Sequence, residues 1–460
     1  MIPTTLARIA QWVNGRLHGS DGAFDIDTVA TDTRTLDAGD GRAPLFVALK
    51  GDRFDGHDHI ADAAARGARA ALVARVVEAD LPQIVVADPQ AALGALAAAV
   101  QRTRPATVVG ITGSNGKTSV KQLVAAVLSR HAATCFNPGN LNNEIGLPLS
   151  VLDAREDAVF AVYEMGAGKP GDIAYLTAIA QPRIALVNNI APAHMERMGS
   201  LLGIADTKAA IYDALPADGT AVINADDAFA PYFAERAHGR RLLRFGIDAS
   251  ADVSARDVRL DDAGARFRLH TPAGEADVVL PLPGRHNVRN ALAATAIALA
   301  AGVPLDTVVA ALGAAEAVAG RLVRHTLGNG AVLIDDSYNA NPGSLNAAID
   351  TLAAAQGERW LVLGDMRELG DDGAAMHAQA GVRARTAGIA RLYTLGSLSA
   401  AAAEAFGDGA RRFETHDALI EALRADLHSD ARVLVKGSRG SAMDRVVTAL
   451  RNNEGTGHAA

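Results

Sequence analysis

Hydrophobic positions along this chain follow two alternating patterns, short continuous apolar runs and stretches with helical spacing. The runs Val159–Glu164, Ile184–Asn188 and Thr220–Asn224 predict buried strands, each of which ends in polar residues. Between about Pro105 and Ala319 such runs alternate with helical patterns, as parallel βαβ units require. The pattern therefore predicts an α/β fold whose ligands collect at the carboxyl ends of the strands.

The run Val108–Ser119 joins an apolar strand to a helix through a glycine-rich turn that ends in Gly-Lys-Thr. Turn N–H groups and a helix N-terminus attract an anion. Lys117 can reach terminal phosphates, and Thr118 can offer its hydroxyl to Mg²⁺. The spacing departs from an ordinary P-loop, because Ile111 stands where glycine is usual. The run indicates a variant nucleotide-binding loop; the alternative is a glycine turn before a core helix that carries a surface lysine.

The chain divides into three predicted domains, as about 150 residues per domain would suggest for 460 residues. Residues 1–104 form a small α/β domain. Residues 105–319 form a central P-loop-type domain with a mostly parallel sheet, to which the alternating stretch Ala251–Leu282 adds antiparallel strands. In residues 320–460 the alternation of strands and helices begins again, and these residues form a C-terminal domain.

Composition narrows the class of protein. Hydrophobic residues make up 49% of the chain and charged residues 21%, so a large core is available. The net charge of −8 argues against nucleic acid as the main partner. The longest apolar run, Ala291–Val303, is too short to span a bilayer, so we expect no membrane insertion. The single cysteine, Cys135, excludes an internal disulfide and fits a cytoplasmic location.

Several polar residues near predicted strand ends are candidates for metal or nucleotide binding. Glu164 closes a strand and can hold Mg²⁺, although a capping carboxylate is the alternative. His194 follows the next strand, where a metal role and a structural role are both open. Lys208 lies in a helix that begins near Ser200, and its residue type alone suggests a surface position. Asn287 precedes the helix predicted from Ala291, where it can pair with an adenine edge or cap the helix.

Polar strand ends also mark the two outer domains. Three strand ends of the C-terminal domain, Asp335–Pro342, Gly364–Gly370 and Lys436–Gly440, are rich in polar residues and indicate a binding edge that faces the central domain. In the first domain, the segments Ala30–Arg34 and Lys50–His57 are polar turns. Glycine and aspartate explain such turns without any function; a phosphate or sugar contact is the alternative.

Taken together, these motifs resemble the Mur ligase family, the ATP-dependent amide-forming enzymes of peptidoglycan synthesis. The resemblance extends over nearly the whole chain and includes the irregular spacing of the loop. Its pieces are Gly110–Thr118, Tyr163–Gly166, Asn188–His194, Lys208, His286–Asn290, Gly320–Arg321 and Asp335–Pro342. Within the family, Asn140–Pro148 and the Asp-Ser-Tyr-Asn-Ala-Asn-Pro run resemble the members that add D-alanyl-D-alanine.

The resemblance implies a reaction and its partners. The first domain would bind the UDP-sugar, the second ATP, and a Rossmann-like third domain the incoming dipeptide. A carboxylate of UDP-N-acetylmuramoyl-tripeptide would attack ATP to give an acyl phosphate, which the amine of D-alanyl-D-alanine would then attack. Family members are generally monomers. The residues leave open whether the third peptide residue is diaminopimelate or lysine.

The resemblance also implies roles for individual residues. Lys117, His194 and Lys208 would be catalytic, and two Mg²⁺ ions would be held by Thr118, Glu164, His194 and Lys208, with Lys208 carbamylated by CO₂. The nucleotide would contact Gly113, Ser114, Asn115, Gly116, Lys117, Thr118, Ser119, Asn287, Asn290, Arg321 and Asp336. The other substrates would contact Asp32, Arg34, Asn142, Asn143, Tyr338, Asn339 and Asn341.

Three other functions stay open on the sequence. The chain could be another ligase of the same family, chiefly the one that adds the third peptide residue. It could be a P-loop ATPase or kinase that uses hydrolysis as a switch and forms no amide bond. A non-catalytic nucleotide-binding protein is the third alternative, against which Lys117, Thr118 and Glu164 all argue.

Overall fold

The computed structural model describes residues 1–192 and 195–452 of the chain. Within them, strands form a two-stranded ribbon and three larger sheets of five, nine and six strands. Helices pack against these sheets, and the predicted α/β class is confirmed. The domain boundaries after residues 104 and 319 stay predictions.

The five-stranded sheet belongs to the N-terminal part, with strand order β2-β7-β6-β5-β4. Strands β4 to β7 pair in parallel, and β2 pairs antiparallel to β7. The elements are β1 (Thr4–Thr5), α1 (Leu6–Trp12), β2 (Arg16–His18), β3 (Asp25–Ile26), β4 (Thr28–Ala30), β5 (Pro44–Val47), α2 (Ile60–Ala65), β6 (Ala70–Val73), β7 (Gln83–Val85) and α3 (Pro89–Arg102).

The nine-stranded sheet is the centre of the molecule, with strand order β16-β15-β14-β13-β12-β11-β8-β10-β9. Its elements are β8 (Thr107–Thr112), α4 (Lys117–His131), β9 (Thr134–Phe136), α5 (Gly146–Asp153), β10 (Phe160–Glu164), α6 (Asp172–Ala180), β11 (Ile184–Val187), α7 (Met195–Met198), α8 (Leu201–Asp213), β12 (Thr220–Asn224), α9 (Ala230–Arg236), β13 (Arg241–Gly246), β14 (Val253–Asp261), β15 (Gly264–Thr271), β16 (Gly274–Leu280), α10 (Arg285–Ala300) and α11 (Leu305–Gly313). Strands β8 to β13 are parallel, and β14 to β16 form the predicted antiparallel addition.

Helix α10 begins earlier than the hydrophobic pattern predicts. It starts at Arg285 rather than Ala291, because Gly284, with a φ of 93°, turns the chain directly into the helix. Asn287 therefore lies inside the first turn and does not cap the helix. Its amide donates to the carbonyl oxygen of Pro283 at 2.8 Å, so of the two alternatives left open by the sequence the capping role was wrong.

The six-stranded sheet belongs to the C-terminal part, with strand order β17-β18-β22-β19-β20-β21. Its elements are β17 (Val323–Thr326), β18 (Val332–Asp336), α12 (Pro342–Ala353), β19 (Glu358–Gly364), α13 (Gly373–Thr386), β20 (Arg391–Leu395), α14 (Ala400–Phe406), β21 (Ala410–Phe413), α15 (His416–Asp426), β22 (Ala431–Lys436) and α16 (Asp444–Arg451). Because β22 lies parallel between β18 and β19, the polar ends of these three strands meet at one edge. None of the helices in the described residues has the length and apolar character to cross a bilayer.

Candidate active site

A cavity of about 950 Å³ lies where the carboxyl ends of the central strands face the C-terminal domain. Residues predicted from widely separated motifs line this one cavity. They are Ser114 to Ser119, Asn142, Asn143, Glu164, Asn287, Asn290, Arg321, Asp336, Tyr338, Asn339 and Asn341. The fold thus brings the loop, the acidic strand end and the polar edge of the third domain together.

The glycine-rich loop is held in place by the polar residues that follow β11. Ser114 donates its backbone N–H to the carbonyl oxygen of Asn189 at 2.9 Å and its hydroxyl to that of Ala191 at 3.0 Å. The backbone N–H of Asn115 donates to the side-chain oxygen of Asn189 at 2.9 Å, and Asn188 donates to the carbonyl oxygen of Asn115. The loop is therefore held in its conformation by hydrogen bonds within the protein.

Lys117 is the first residue of helix α4, and its ammonium group lies over the loop. Its Nζ donates to the carbonyl oxygens of Gly113 at 2.7 Å and Ser114 at 3.3 Å. Burial lowers the pKa of Lys117, while the carboxylate of Glu164 opposes that shift. A cation at a helix N-terminus, beside a turn of backbone N–H groups, is the arrangement that binds phosphate.

Glu164 and Thr118 together fit the donor set of a magnesium ion. Glu164 is 2% exposed at the end of β10, and its Oε1 accepts a hydrogen bond from Asn142 at 2.8 Å. Its Oε2 is buried and accepts no hydrogen bond from any described residue. The Thr118 hydroxyl, which accepts from Arg321 at 3.0 Å, lies on the same cavity wall. Hard oxygen ligands of this kind suit Mg²⁺.

Lys208 lies in helix α8 and is 3% exposed, although its residue type alone suggests a surface position. Burial and the positive charge of Lys117 hold the pKa of Lys208 well below its usual range, and Asp172 opposes them. Burial therefore favours the neutral form of this amine. His194, the other predicted metal ligand of this region, lies outside the described residues.

The C-terminal domain contacts the loop directly. Asn341 donates its side-chain amide to the side-chain oxygen of Asn115 at 2.7 Å. The guanidinium of Arg321 lies 4.6 Å from the ring centre of Tyr338. Arg321 also donates to the Thr118 hydroxyl at 3.0 Å, so two side chains of the C-terminal domain are joined to the loop.

A buried ion pair supports the polar edge of the third domain. Lys436, at the end of β22, donates to Asp336 at 2.5 Å and to the carbonyl oxygen of Asn339 at 2.9 Å. Burial raises the pKa of Asp336, and the Lys436 ammonium opposes that shift. The pair holds the turn after β18 against the cavity.

The two asparagines of helix α10 lie on the opposite wall and are buried. Asn290 donates to the side-chain oxygen of Asn287 at 3.2 Å and accepts from Asn188 at 3.3 Å. Their amides therefore link the helix to the residues that hold the loop. Asparagine amides carry both donors and acceptors, as pairing with a nucleobase edge requires.

Asp32 and Arg34 lie away from these residues and are not among the described residues that line the cavity. They form an exposed ion pair of 2.5 Å in a 3-10 turn after β4, and the side chain of Arg34 is 84% exposed. Hydrogen bonds from Arg34 lower the pKa of Asp32 to about 2. Their role in substrate binding stays a prediction.

Sequence reasoning missed Lys121, which is fully buried 3.5 Å from Glu164. The sequence carried a signal for the burial of Lys121. This lysine stands one turn after Lys117 and three residues before Val124, on the apolar face of the helix. It also missed the pair that Arg289 forms with Asp226 at 3.3 Å, for which the sequence carries no local signal.

We expect the change Gly116→Ala to impair both folding and nucleotide binding. Gly116 has a φ of 76°, and a Cβ there would lie 2.6 Å from the Asn188 amide nitrogen and 2.7 Å from the Asn290 side-chain oxygen. The left-handed backbone alone costs about 1–2 kcal/mol for a residue with a Cβ. Thermal denaturation with and without ADP measures both effects, and Gly139→Ala, whose Cβ meets nothing within 4 Å, is the matched control. Equal melting temperatures for the two variants would contradict the expectation.

Three family models match successive parts of the chain. The model described as Mur ligase family, catalytic domain, matches residues 25–101. The Mur ligase middle domain matches residues 111–298, and the Mur ligase, glutamate ligase domain, matches residues 320–439. The three matches follow one another in the order of the three sheets.

Individual relatives match over almost the full length. The chain is 45% identical to the UDP-N-acetylmuramoyl-tripeptide–D-alanyl-D-alanine ligase of Escherichia coli, over 98% of this chain and 99% of that one. A crystal structure of MurF from Acinetobacter baumannii superimposes with a TM-score of 0.92 at 35% identity, covering 98% and 99% of the two chains. A structure of MurF ligase from Thermotoga maritima in complex with ADP gives 0.83 at 27% identity, covering 92% and 97%.

The resemblance drawn from the sequence motifs is thereby confirmed. Nearly full-length coverage of these relatives, three successive family matches and a shared fold all agree with the geometry of the cavity. The chain belongs to the Mur ligase family.

Proposed function

We propose that this chain is an ATP-dependent ligase that adds D-alanyl-D-alanine to UDP-N-acetylmuramoyl-tripeptide and releases the pentapeptide product, ADP and phosphate. The observation that carries the proposal is the single cavity that Lys117, Glu164 and the polar edge of the third domain share. The 45% identity to the Escherichia coli ligase of that name supports this choice of substrates. We also propose that it acts in the cytoplasm as a monomer.

The proposed reaction has two steps. The tripeptide carboxylate attacks the γ-phosphorus of ATP, the bond to ADP breaks, and an acyl phosphate forms. The dipeptide amine then attacks the acyl carbon, loses a proton, and phosphate leaves. Because the first two reactants are anions, their repulsion must be reduced, and Lys117 supplies a fixed positive charge where the phosphates would lie. Asn341 and Arg321, which join the third domain to the loop, would help to exclude water from the acyl phosphate.

Magnesium supplies charge neutralisation of the phosphates when it is bound. We assign Thr118 and Glu164 to one ion, because the Glu164 Oε2 atom is buried and accepts no hydrogen bond from the described residues, with the Lys121 ammonium 3.5 Å away. We assign His194 and a carbamylated Lys208 to a second ion. Burial lowers the pKa of Lys208 and so favours the neutral amine, which would attack CO₂ and lose a proton to give an anionic carbamate.

The remaining predicted residues divide among the three substrates. Asn287 and Asn290 would bind the adenine, and Arg321 and Asp336 would contact the rest of the nucleotide with the loop. Tyr338, Asn339 and Asn341 would contact the dipeptide. The UDP-linked acceptor would meet Asp32, Arg34, Asn142 and Asn143.

The test is a phosphate-release assay with ATP, Mg²⁺, UDP-N-acetylmuramoyl-tripeptide and D-alanyl-D-alanine, in which each component is omitted in turn. We expect release only with the complete mixture, together with the mass of a pentapeptide product. Release that does not need the dipeptide would favour a switch-type ATPase. Turnover of a UDP-dipeptide with a single amino acid would favour the ligase that adds the third residue.

A further inference from the structure

Lys121 is a second lysine of helix α4, and its side chain has no exposed surface. Its Nζ donates to the carbonyl oxygens of Asn137 at 2.8 Å and Gly139 at 3.1 Å. Its third neighbour is the Oε2 atom of Glu164 at 3.5 Å. A lysine ammonium carries three donor hydrogens, and these three oxygens surround it. The Lys121 ammonium therefore contacts oxygen atoms of the protein interior, whereas Lys117 lines the cavity.

The segment 137–143, hereafter the 137–143 loop, is built around the same carboxylate. The side chain of Asn137 donates to the carbonyl oxygens of Leu141 at 2.8 Å and Glu164 at 3.0 Å, and it accepts from the Glu164 backbone N–H at 2.9 Å. The side-chain amide of Asn142 donates to Oε1 of Glu164, and the backbone carbonyl oxygen of Asn142 accepts from the N–H of Gly166 at 2.8 Å. The loop and the carboxylate are thus one hydrogen-bonded unit.

Each oxygen of Glu164 has a separate neighbour that sets its direction. Asn142, on the 137–143 loop, holds Oε1, and Lys121, beneath the loop, faces Oε2. The same ammonium group holds the loop backbone at two carbonyl oxygens. A substitution of Lys121 must therefore affect both the carboxylate of Glu164 and the 137–143 loop.

We propose that Lys121 is a positioning residue that sets the direction of Glu164 Oε2 and the course of the 137–143 loop together. It thereby links magnesium binding to binding of the UDP-linked acceptor, whose proposed contacts Asn142 and Asn143 lie on this loop. This inference rests on the proposed function. Side chains that orient a metal ligand change metal affinity by about 10–100-fold when they are removed.

The experiment is a double-mutant cycle of Lys121→Met and Glu164→Gln. One readout is the Mg²⁺ dependence of ADP affinity, measured by calorimetry; the other is the KM for the UDP-tripeptide. We expect Lys121→Met to weaken the Mg²⁺-dependent part of ADP binding about tenfold and to raise that KM by a similar factor. In the Glu164→Gln background, the same change should have no further effect on Mg²⁺-dependent ADP binding, because the residue acts through the carboxylate.

Arg130→Met is the matched control, since it removes a cation from the exposed end of the same helix. Lys121→Gln, which keeps an amide donor for the loop carbonyls, serves if Lys121→Met does not fold, as judged by thermal denaturation. Unchanged Mg²⁺ dependence and KM in a folded variant, or effects that add fully to those of Glu164→Gln, would overturn the proposal. If the wild-type protein forms no amide product, the proposed function fails, while the ADP measurement still tests Lys121.

Discussion

Lys117→Ala should lower kcat of the complete ligase reaction by about 10³-fold or more. The ammonium group lies at the N-terminus of α4, where it would neutralise charge that develops on the transferred phosphoryl group. Removing one such preorganised group typically costs about 10²–10³ in kcat, and the loss is larger when the lost group is a full charge. Phosphate release with all substrates present, followed over hours, measures the residual rate.

The same change should leave the fold intact. The Lys117 ammonium bonds only to two loop carbonyls among the described residues, so its loss leaves no buried carboxylate without a partner. Circular dichroism and thermal denaturation beside Arg130→Met establish that the protein is folded. A folded Lys117→Ala variant that keeps more than about a tenth of wild-type kcat would refute the role that we assign to the loop.

Lys208→Ala should lower kcat by at least about 10–100-fold, the loss typical when a group that supports a bound metal is removed. The removed side chain leaves a buried space in the interior. A short carboxylate such as acetate should therefore restore part of the activity, because it replaces the anion that a carbamate would supply. Activity of Lys208→Ala and Lys208→Arg, each with and without acetate, is the measurement. Full activity in Lys208→Arg would exclude a carbamate.

The pH dependence tests the same proposal in the wild-type protein. Only the neutral amine reacts with CO₂, and a group with a lowered pKa is neutral at every pH above that value. After removal of CO₂, recovery of activity at constant dissolved CO₂ should therefore rise less between pH 7 and pH 9 than it would for an exposed lysine. An ordinary lysine, with a pKa near 10.4, would gain about 100-fold in neutral amine over the same interval. Such a rise would show that Lys208 is not buried as a neutral group.

Local patterns predicted the parts of the site that one element carries by itself. The glycine-rich loop with Lys117 and Thr118 follows from a strand, a turn and an amphipathic helix that are consecutive in the chain. The antiparallel strands β14 to β16 follow from alternation and turn residues. The start of α10 did not follow, because the helix-forming pattern is weak there and the positive φ of Gly284 decides the turn.

What the sequence by itself determined is therefore the class of fold, the phosphate-binding loop and the family, since each depends on spacing within short segments. Only the tertiary structure decided which polar groups lose water and which face one another. The pKa of Lys208 is lowered because α8 packs it into the interior, and Lys121 meets Glu164 because α4 lies against β10. Asp336 and Lys436 are 100 residues apart and pair because β18 lies beside β22. Burial and pairing set pKa and orientation, and both depend on neighbours that are distant in the chain.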